Sequence, residues 1–228
     1  MAPIVQALLN MQPARQFIDN RAQMVRDQLQ ARGVTDQRVL DAMAAVPRHD
    51  FVSQELRGVA YSDRPLPIGS GQTISQPQMV GTLLEALELR GDETVLDVGT
   101  GSGYQAALLA RLAGSVVSVE IIPELAASAQ KRLRWLGYPD VEVVVGDGSL
   151  GWPGRAPYEA IVVAAGAPRI PAALVDQLAD GGRLVIPVGE RAEQQLLRVR
   201  KHQNALSTEQ LVGCFFVPLV GRAGWAEA

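Results

Sequence analysis

Past Ser75 the apolar positions gather into short, β-branched runs at Thr94–Val98, Ser115–Glu120, Val141–Gly146, Ala160–Ala164 and Arg183–Pro187. Before and between them, apolar residues recur at helical spacing over Gln76–Leu89, Tyr104–Leu112, Pro123–Leu136 and Pro171–Leu178. A strand buried on both faces shows no polar alternation, and strands that alternate with helices pair in parallel through right-handed crossovers. The pattern predicts an α/β chain on a doubly wound, mostly parallel sheet. Gln194–His202 and Glu209–Val217 read as two more strands, joined by a short turn around Asn204. They predict an antiparallel edge that makes the sheet seven-stranded.

Upstream the pattern changes. From Ala14 to about Arg32 the residues Phe17, Ile18, Met24, Val25 and Leu29 recur at roughly helical spacing, and Gly33 is a good stop. Thr35 then precedes a second short helix that ends before Pro47. Gly58, Pro65, Pro67, Gly69 and Gly71 interrupt residues 48–75, so no long element fits there. Long ordered loops in a compact domain usually carry function. The expected organisation is a loose leader over 1–13, a helical and loop extension over 14–75, and the α/β domain over 76–228.

Of the 228 residues, 47% are hydrophobic and 20% charged, enough to bury a sizeable core in one domain with a small extension. A net charge of −3 gives no basic surplus, so no nucleic-acid partner is expected. Cys214 is the single cysteine, and His49 and His202 are the two histidines. An intrachain disulfide is therefore impossible, and a Cys/His metal cluster is not expected. There is no apolar run long enough to span a membrane, and the start MAPIVQALLNMQPARQF lacks the layout of a signal peptide. The simplest expectation is a cytoplasmic enzyme.

The strongest chemical signal is the run Val95-Leu96-Asp97-Val98-Gly99-Thr100-Gly101-Ser102-Gly103-Tyr104, a buried strand, a glycine turn and a helix start. Glycines let the backbone approach a ligand, and the helix start offers free N–H groups. Dinucleotide sites of this kind are spaced GxGxxG and hold a pyrophosphate. Here the spacing is GxGxG, and the acidic Asp97 lies two positions ahead of the turn, which suits a cationic ligand. S-adenosylmethionine carries an ammonium and a sulfonium. Glu120 ends the second run and can accept from two ribose hydroxyls. Asp147 ends the third and could accept from an adenine amino group. All three acids fall at C-terminal strand ends, where open α/β sheets bind ligands. The alternative is that each acid merely caps the following helix.

The run VLDVGTGSG is similar to the first motif of class I methyltransferases, and Glu120 and Gly146-Asp147-Gly148 are similar to later ones. Upstream, YSDRPLPIGSGQTISQP at 61–77 resembles the signature loop of the protein-L-isoaspartate O-methyltransferase family. The likeness continues through AIVVAAGAP at 160–168, GGRLVIPVG at 181–189 and FFVPLV at 215–220, and covers roughly residues 15–222. The resemblance implies a Rossmann-like methyltransferase fold. It implies S-adenosylmethionine as donor, S-adenosylhomocysteine as product, no metal, isoaspartyl peptides and proteins as acceptors, and a monomer. For this sequence it implies donor contacts from Thr73, Ile74, Asp97, Gly99, Thr100, Gly101, Gly103, Glu120, Ile121, Asp147 and Gly148. Acceptor contacts fall to Thr73, Ser75 and Val217, with Ser75 the catalytic residue. In the family the methyl ester collapses to a succinimide that opens partly to normal aspartate, so repair is the implied outcome.

Ser75 carries a second reading. Ser75-Gln76-Pro77-Gln78 fits the S-x-x-Q capping box, in which the hydroxyl only closes an orphan N–H. The two readings are compatible, because a helix start also favours a carboxylate. The sequence departs from the family at Gln78, where many relatives have histidine, and at Glu159, where aspartate is common. Several residues are expected to be structural. These are Cys214 as a buried small hydrophobe, His49 as a surface or loop residue, and Trp135, Trp152 and Trp225 as packing residues. Lys131, Arg132, Arg134 and the stretch Arg198 to His202 are expected to face solvent, and Phe17 to cover the sheet or the donor pocket. Three rivals stay open: a methyltransferase of this fold acting on a small molecule or RNA, a nicotinamide-dependent oxidoreductase, and a non-catalytic module. The 61–77 loop opposes the first, the missing GxGxxG the second, and intact donor motifs the third.

Overall fold

The structure, a computed structural model, describes residues 15–203 and 205–226. The leader expected over 1–13 and Asn204 of the expected turn lie outside the described residues. Helix α1 (15–24) continues through a π-turn at Val25–Leu29 and a 3-10 turn at Gln30–Arg32. It stops at Gly33, whose φ of 97° is a left-handed conformation that glycine adopts readily. Helix α2 (Gln37–Ala45) is capped by Asp36, which accepts from the Arg38 and Val39 amides. Thr35 is not the cap; its amide and hydroxyl both donate to Glu85. Aspartate is the better N-cap acceptor, and it stands one residue nearer the helix.

Residues 48–75 hold two 3-10 turns, Arg48–Phe51 and Gln54–Val59, and then a hairpin of β1 (Leu66–Gly69) and β2 (Gln72–Ile74). Ser70 and Gly71 form its tip, both at positive φ, as a tight hairpin turn requires. The strands are too short for periodicity to have revealed them. Helix α3 (Pro77–Ala86) leads into the sheet domain. There follow β3 (Thr94–Val98), α4 (Tyr104–Leu112), β4 (Ser115–Glu120), α5 (Pro123–Trp135), β5 (Glu142–Val145), β6 (Tyr158–Val163), α6 (Ala172–Asp176), β7 (Leu178–Glu190), β8 (Glu193–His202) and β9 (Ala205–Cys214).

The seven-stranded sheet has the order β5-β4-β3-β6-β7-β8-β9. The first five strands are parallel, and β8 and β9 add antiparallel. From β3 the chain winds outward first through β4 and β5, then returns to the other side for β6. That reversal opens a crevice beyond the C-terminal end of β3. Alternation along the strands divides the core. Val95, Val116, Ala160 and Val162 face the N-terminal helices and α4, whereas Leu96, Val98, Val117 and Ile161 face a second cluster that includes Leu174 of α6.

Several sequence boundaries move; β6 already begins at Tyr158 and β9 at Ala205. Strand β7 starts well before Arg183, because Leu178 pairs with Tyr158 ahead of a register shift. Strand β9 ends at Cys214 rather than at Val217. Beyond it Phe216 exchanges hydrogen bonds with the Gln194 side chain, and Gly166 donates to the Val217 carbonyl. These bonds carry 217–220 off the sheet edge and over the crevice. Several basic groups expected to face solvent are tied down, among them Arg200, which pairs with Glu88 at 2.6 Å. Arg198 bridges Glu88 and Glu209, and Lys201 donates to the Val175 and Leu178 carbonyls. Arg132 donates to the Ser102 carbonyl at 2.7 Å and so ties α5 to the glycine turn. Trp135, expected to pack, is 73% exposed.

Candidate active site

Gly99, Gly101 and Gly103 sit at φ 97°, 52° and 87°, a left-handed series that side-chain-bearing residues rarely adopt. The series turns the chain from β3 into α4 and leaves the backbone bare toward the crevice. Glu120, at the end of β4, braces the turn. One carboxylate oxygen accepts from the Gly101 amide at 2.8 Å, and the other from the Ile122 amide at 3.0 Å. Each oxygen keeps a further lone pair for a ligand hydroxyl.

The crevice above is a cavity of about 370 Å³, in the range of small-molecule sites. It is lined by the glycine turn with Glu120, Ile121 and Gly148, by Thr73, Ile74 and Ser75 of the loop, and by Val217 to Val220 of the tail. The structure thus brings together Thr73, Ile74, Ser75, Gly99, Thr100, Gly101, Glu120, Ile121, Gly148 and Val217 of the residues expected at the site. Tyr104 and Gln105, also in the wall, were missed although they directly follow the glycine turn.

Three expected contacts do not line the cavity. Asp97 is fully buried on the α4 face of β3, where strand alternation puts it beside Ser118 of β4. It accepts from Gln105 at 2.8 Å and from Ser118 at 2.7 Å. Ser118 in turn pairs with Thr100 at 2.6 Å. Asp97 is thereby tied to Thr100 and Gln105, which line the cavity, while it does not line the cavity itself. Burial pushes its carboxyl up from 3.8 to about 6; the Ser118 and Gln105 hydrogen bonds oppose the rise and the Glu120 charge adds to it. Asp147 is the second case. One of its oxygens accepts from the amide and hydroxyl of Ser149, the other from the Arg222 amide at 2.8 Å. Capping and the returning C-terminal tail thus occupy its carboxylate, while its neighbour Gly148 reaches the cavity. Gly103 is the third. A Cβ there would lie 3.3 Å from Leu133, so its role is close packing of α5.

Ser75 does not close a capping box. Helix α3 is capped by Gln76 without a side-chain bond, and the Ser75 hydroxyl makes no hydrogen bond among the described residues. Pro77 at the first helical position removes one of the amides such a cap would serve. Gln78 accepts from Arg32 at 3.1 Å and does not line the cavity. His49 stacks on Phe17 with ring centroids 4.0 Å apart and pairs with the Tyr61 hydroxyl, so Phe17 covers His49 rather than the donor pocket. Among the described residues no group of three or more His, Cys, Asp or Glu is placed to hold a metal ion.

Residues 20–224 match the family model described as Protein-L-isoaspartate(D-aspartate) O-methyltransferase. A protein-L-isoaspartate O-methyltransferase from Methanoculleus marisnigri is 55% identical over 205 residues, 90% of this chain and 93% of that protein. A protein-L-isoaspartate O-methyltransferase 2 from Marinobacter nauticus is 56% identical over 209 residues, 91% of this chain and 95% of that protein. Among solved structures, a protein-L-isoaspartate O-methyltransferase with 28% identity superposes with a TM-score of 0.79, covering 90% of this chain and 67% of the other. A candidate member from Plasmodium falciparum, solved with S-adenosyl-L-homocysteine, has 25% identity and a TM-score of 0.73, covering 86% of this chain and 96% of the other.

Proposed function

The chain belongs to the protein-L-isoaspartate(D-aspartate) O-methyltransferase family, and on that premise we propose which of its residues carry the reaction. It is an S-adenosylmethionine-dependent carboxyl O-methyltransferase that acts on isoaspartyl residues of damaged proteins. When bound, the donor supplies a methyl group already activated on a positive sulfur. The residues present fit it: a cavity of about 370 Å³, a bare glycine turn, and a carboxylate with free lone pairs.

In this reading Glu120 accepts from the ribose hydroxyls, Ile121 and Gly148 flank the adenine, and Gly99, Thr100 and Gly101 hold the rest of the donor. Thr73, Ser75 and Val217 orient the acceptor. Asp97 and Asp147 act from outside the cavity, as supports of the turn and of the tail. A cytoplasmic monomer that engages no nucleic acid belongs to the same reading, in keeping with the net charge of −3. Among the described residues no helix is long and apolar enough to cross a membrane.

The observation that carries the proposal is Ser75, which lines the same cavity as Glu120 and whose hydroxyl makes no hydrogen bond among the described residues. An isoaspartyl α-carboxylate, with a pKa of ~3.3–3.7, is already a nucleophile at neutral pH and needs no base. The work left to the protein is alignment, which can be worth roughly 7–11 kcal/mol. The 60–75 loop helps by shielding the reacting charges from water.

Tritium from labelled S-adenosylmethionine is expected to reach an isoaspartyl peptide and not its normal aspartyl twin; equal labelling would reject the acceptor assignment. Ser75→Ala is expected to lower kcat/KM for the isoaspartyl peptide by roughly tenfold or more, the scale of one hydrogen bond to a charged group. Its melting temperature should stay near that of the wild type, because no cap is lost. A large fall in melting temperature with unchanged kinetics would return Ser75 to a purely structural role.

A further inference from the structure

Arg48 is an arginine with no exposed surface, in the 3-10 turn Arg48–Phe51, and it does not itself line the cavity. Its Nε donates to the Ala60 carbonyl at 2.7 Å, and one terminal nitrogen donates to the Ser75 carbonyl at 2.7 Å. Those two carbonyls stand at opposite ends of the acceptor loop. The guanidinium also lies 5.1 Å from the ring centre of Tyr104, the residue that opens α4 and lines the cavity. One side chain therefore joins both ends of the loop to the first helix of the donor site. Among the described residues its other terminal nitrogen has no hydrogen-bond partner, and no carboxylate is hydrogen-bonded to the group. Burying a charge on carbonyls and an aromatic face is costly, and an apolar staple would hold a loop at lower cost. The cost makes sense where fixed geometry is required: a planar fork can grip two carbonyls at once, and a lysine ammonium cannot reproduce that.

We propose that Arg48 is a positioning residue for methyl transfer, gripping the Ser75 carbonyl so that the seryl hydroxyl is held toward the acceptor carboxylate. It touches neither substrate nor donor, and this role rests on the reading of Ser75 given above.

The test is steady-state kinetics on Arg48→Lys, Ser75→Ala and the double variant, with S-adenosylhomocysteine affinity and melting temperature measured on each. Arg48→Lys keeps the charge and loses the fork. It is expected to lower kcat/KM for the isoaspartyl peptide by about tenfold, while S-adenosylhomocysteine affinity stays within about threefold. In the Ser75→Ala background the same change should cost less than about threefold, because the two residues act as one unit. Additive effects, equal losses of donor and acceptor binding, or a lowered melting temperature with unchanged kinetics would each overturn the positioning role. So would failure of Arg48→Lys to fold, which would make Arg48 a core residue only. A silent Ser75→Ala would instead bring down the Ser75 reading itself. An impaired Ser75→Ala beside a silent Arg48→Lys would bring down the role of Arg48 alone.

Discussion

Glu120→Ala is expected to weaken S-adenosylhomocysteine binding by about a hundredfold or more, the largest effect of any single substitution at the site. Two functions vanish together. The Gly101 and Ile122 amides lose the carboxylate that holds them at 2.8 Å and 3.0 Å, so the glycine turn is no longer braced. The ribose hydroxyls lose their acceptor as well. Hydrogen bonds to a charged group are worth roughly 1.5–3 kcal/mol each, and about 1.4 kcal/mol is a factor of ten in affinity. Glu120→Gln should lose less, because its amide oxygen can still accept from one of the two amides. Isothermal calorimetry on both variants checks this; an alanine variant that binds within about threefold of wild type would remove Glu120 from the donor site.

The second large effect is on stability and concerns Asp97. Its carboxyl is raised by burial from 3.8 to about 6 in the folded protein. Between about pH 4 and pH 6 the unfolded chain has therefore released this proton while the folded protein retains it. Folded molecules bind more protons than unfolded ones across that window, so the Asp97 contribution to stability falls as pH rises. Two pH units of separation correspond to about 3 kcal/mol. Asp97→Asn cannot titrate, and the Gln105 and Ser118 side chains can each turn to meet an amide. The stability of Asp97→Asn relative to wild type should therefore rise by about 2.4 kcal/mol between pH 4 and pH 7.5, the rest of the span lying below pH 4. Urea denaturation of both proteins without donor measures the difference, and the other titrating groups cancel in the comparison. A difference that does not change with pH would mean that the folded protein ionises Asp97 as readily as the unfolded chain.

Both predictions rest on features that differ in how far the sequence disclosed them. The bounds of Thr94–Val98, Ser115–Glu120 and Tyr104–Leu112 follow from hydrophobic runs and punctuation alone, and the structure reproduces them. Strand β7 does not follow, because Gly181 and Gly182 interrupt its apolar run and only pairing with β6 and β8 supplies the missing order. The hairpin tip at Ser70-Gly71 left a trace, but its strands are too short for alternation to register.

At the cavity, the glycine turn and Glu120 are legible locally, since a strand, a glycine series and a terminal acid are contiguous or nearly so in the chain. The same reasoning gives Asp97 and Asp147 a ligand, whereas in the structure neither lines the cavity. Which face of β3 carries Asp97 depends on which helix covers that face, and its pairing with Ser118 depends on the register of two parallel strands. Asp147 is engaged by Arg222, 75 residues away in sequence, and Arg48 meets Ser75 across 27 residues. Periodicity reports which positions are buried, whereas the partner of a buried polar group is set by tertiary packing, because hydrogen bonds require particular atoms within about 3 Å. The chain alone determined the sheet, the glycine turn and the 61–77 loop; only the fold decided which acids line the cavity and which are bound to side chains and amides outside it.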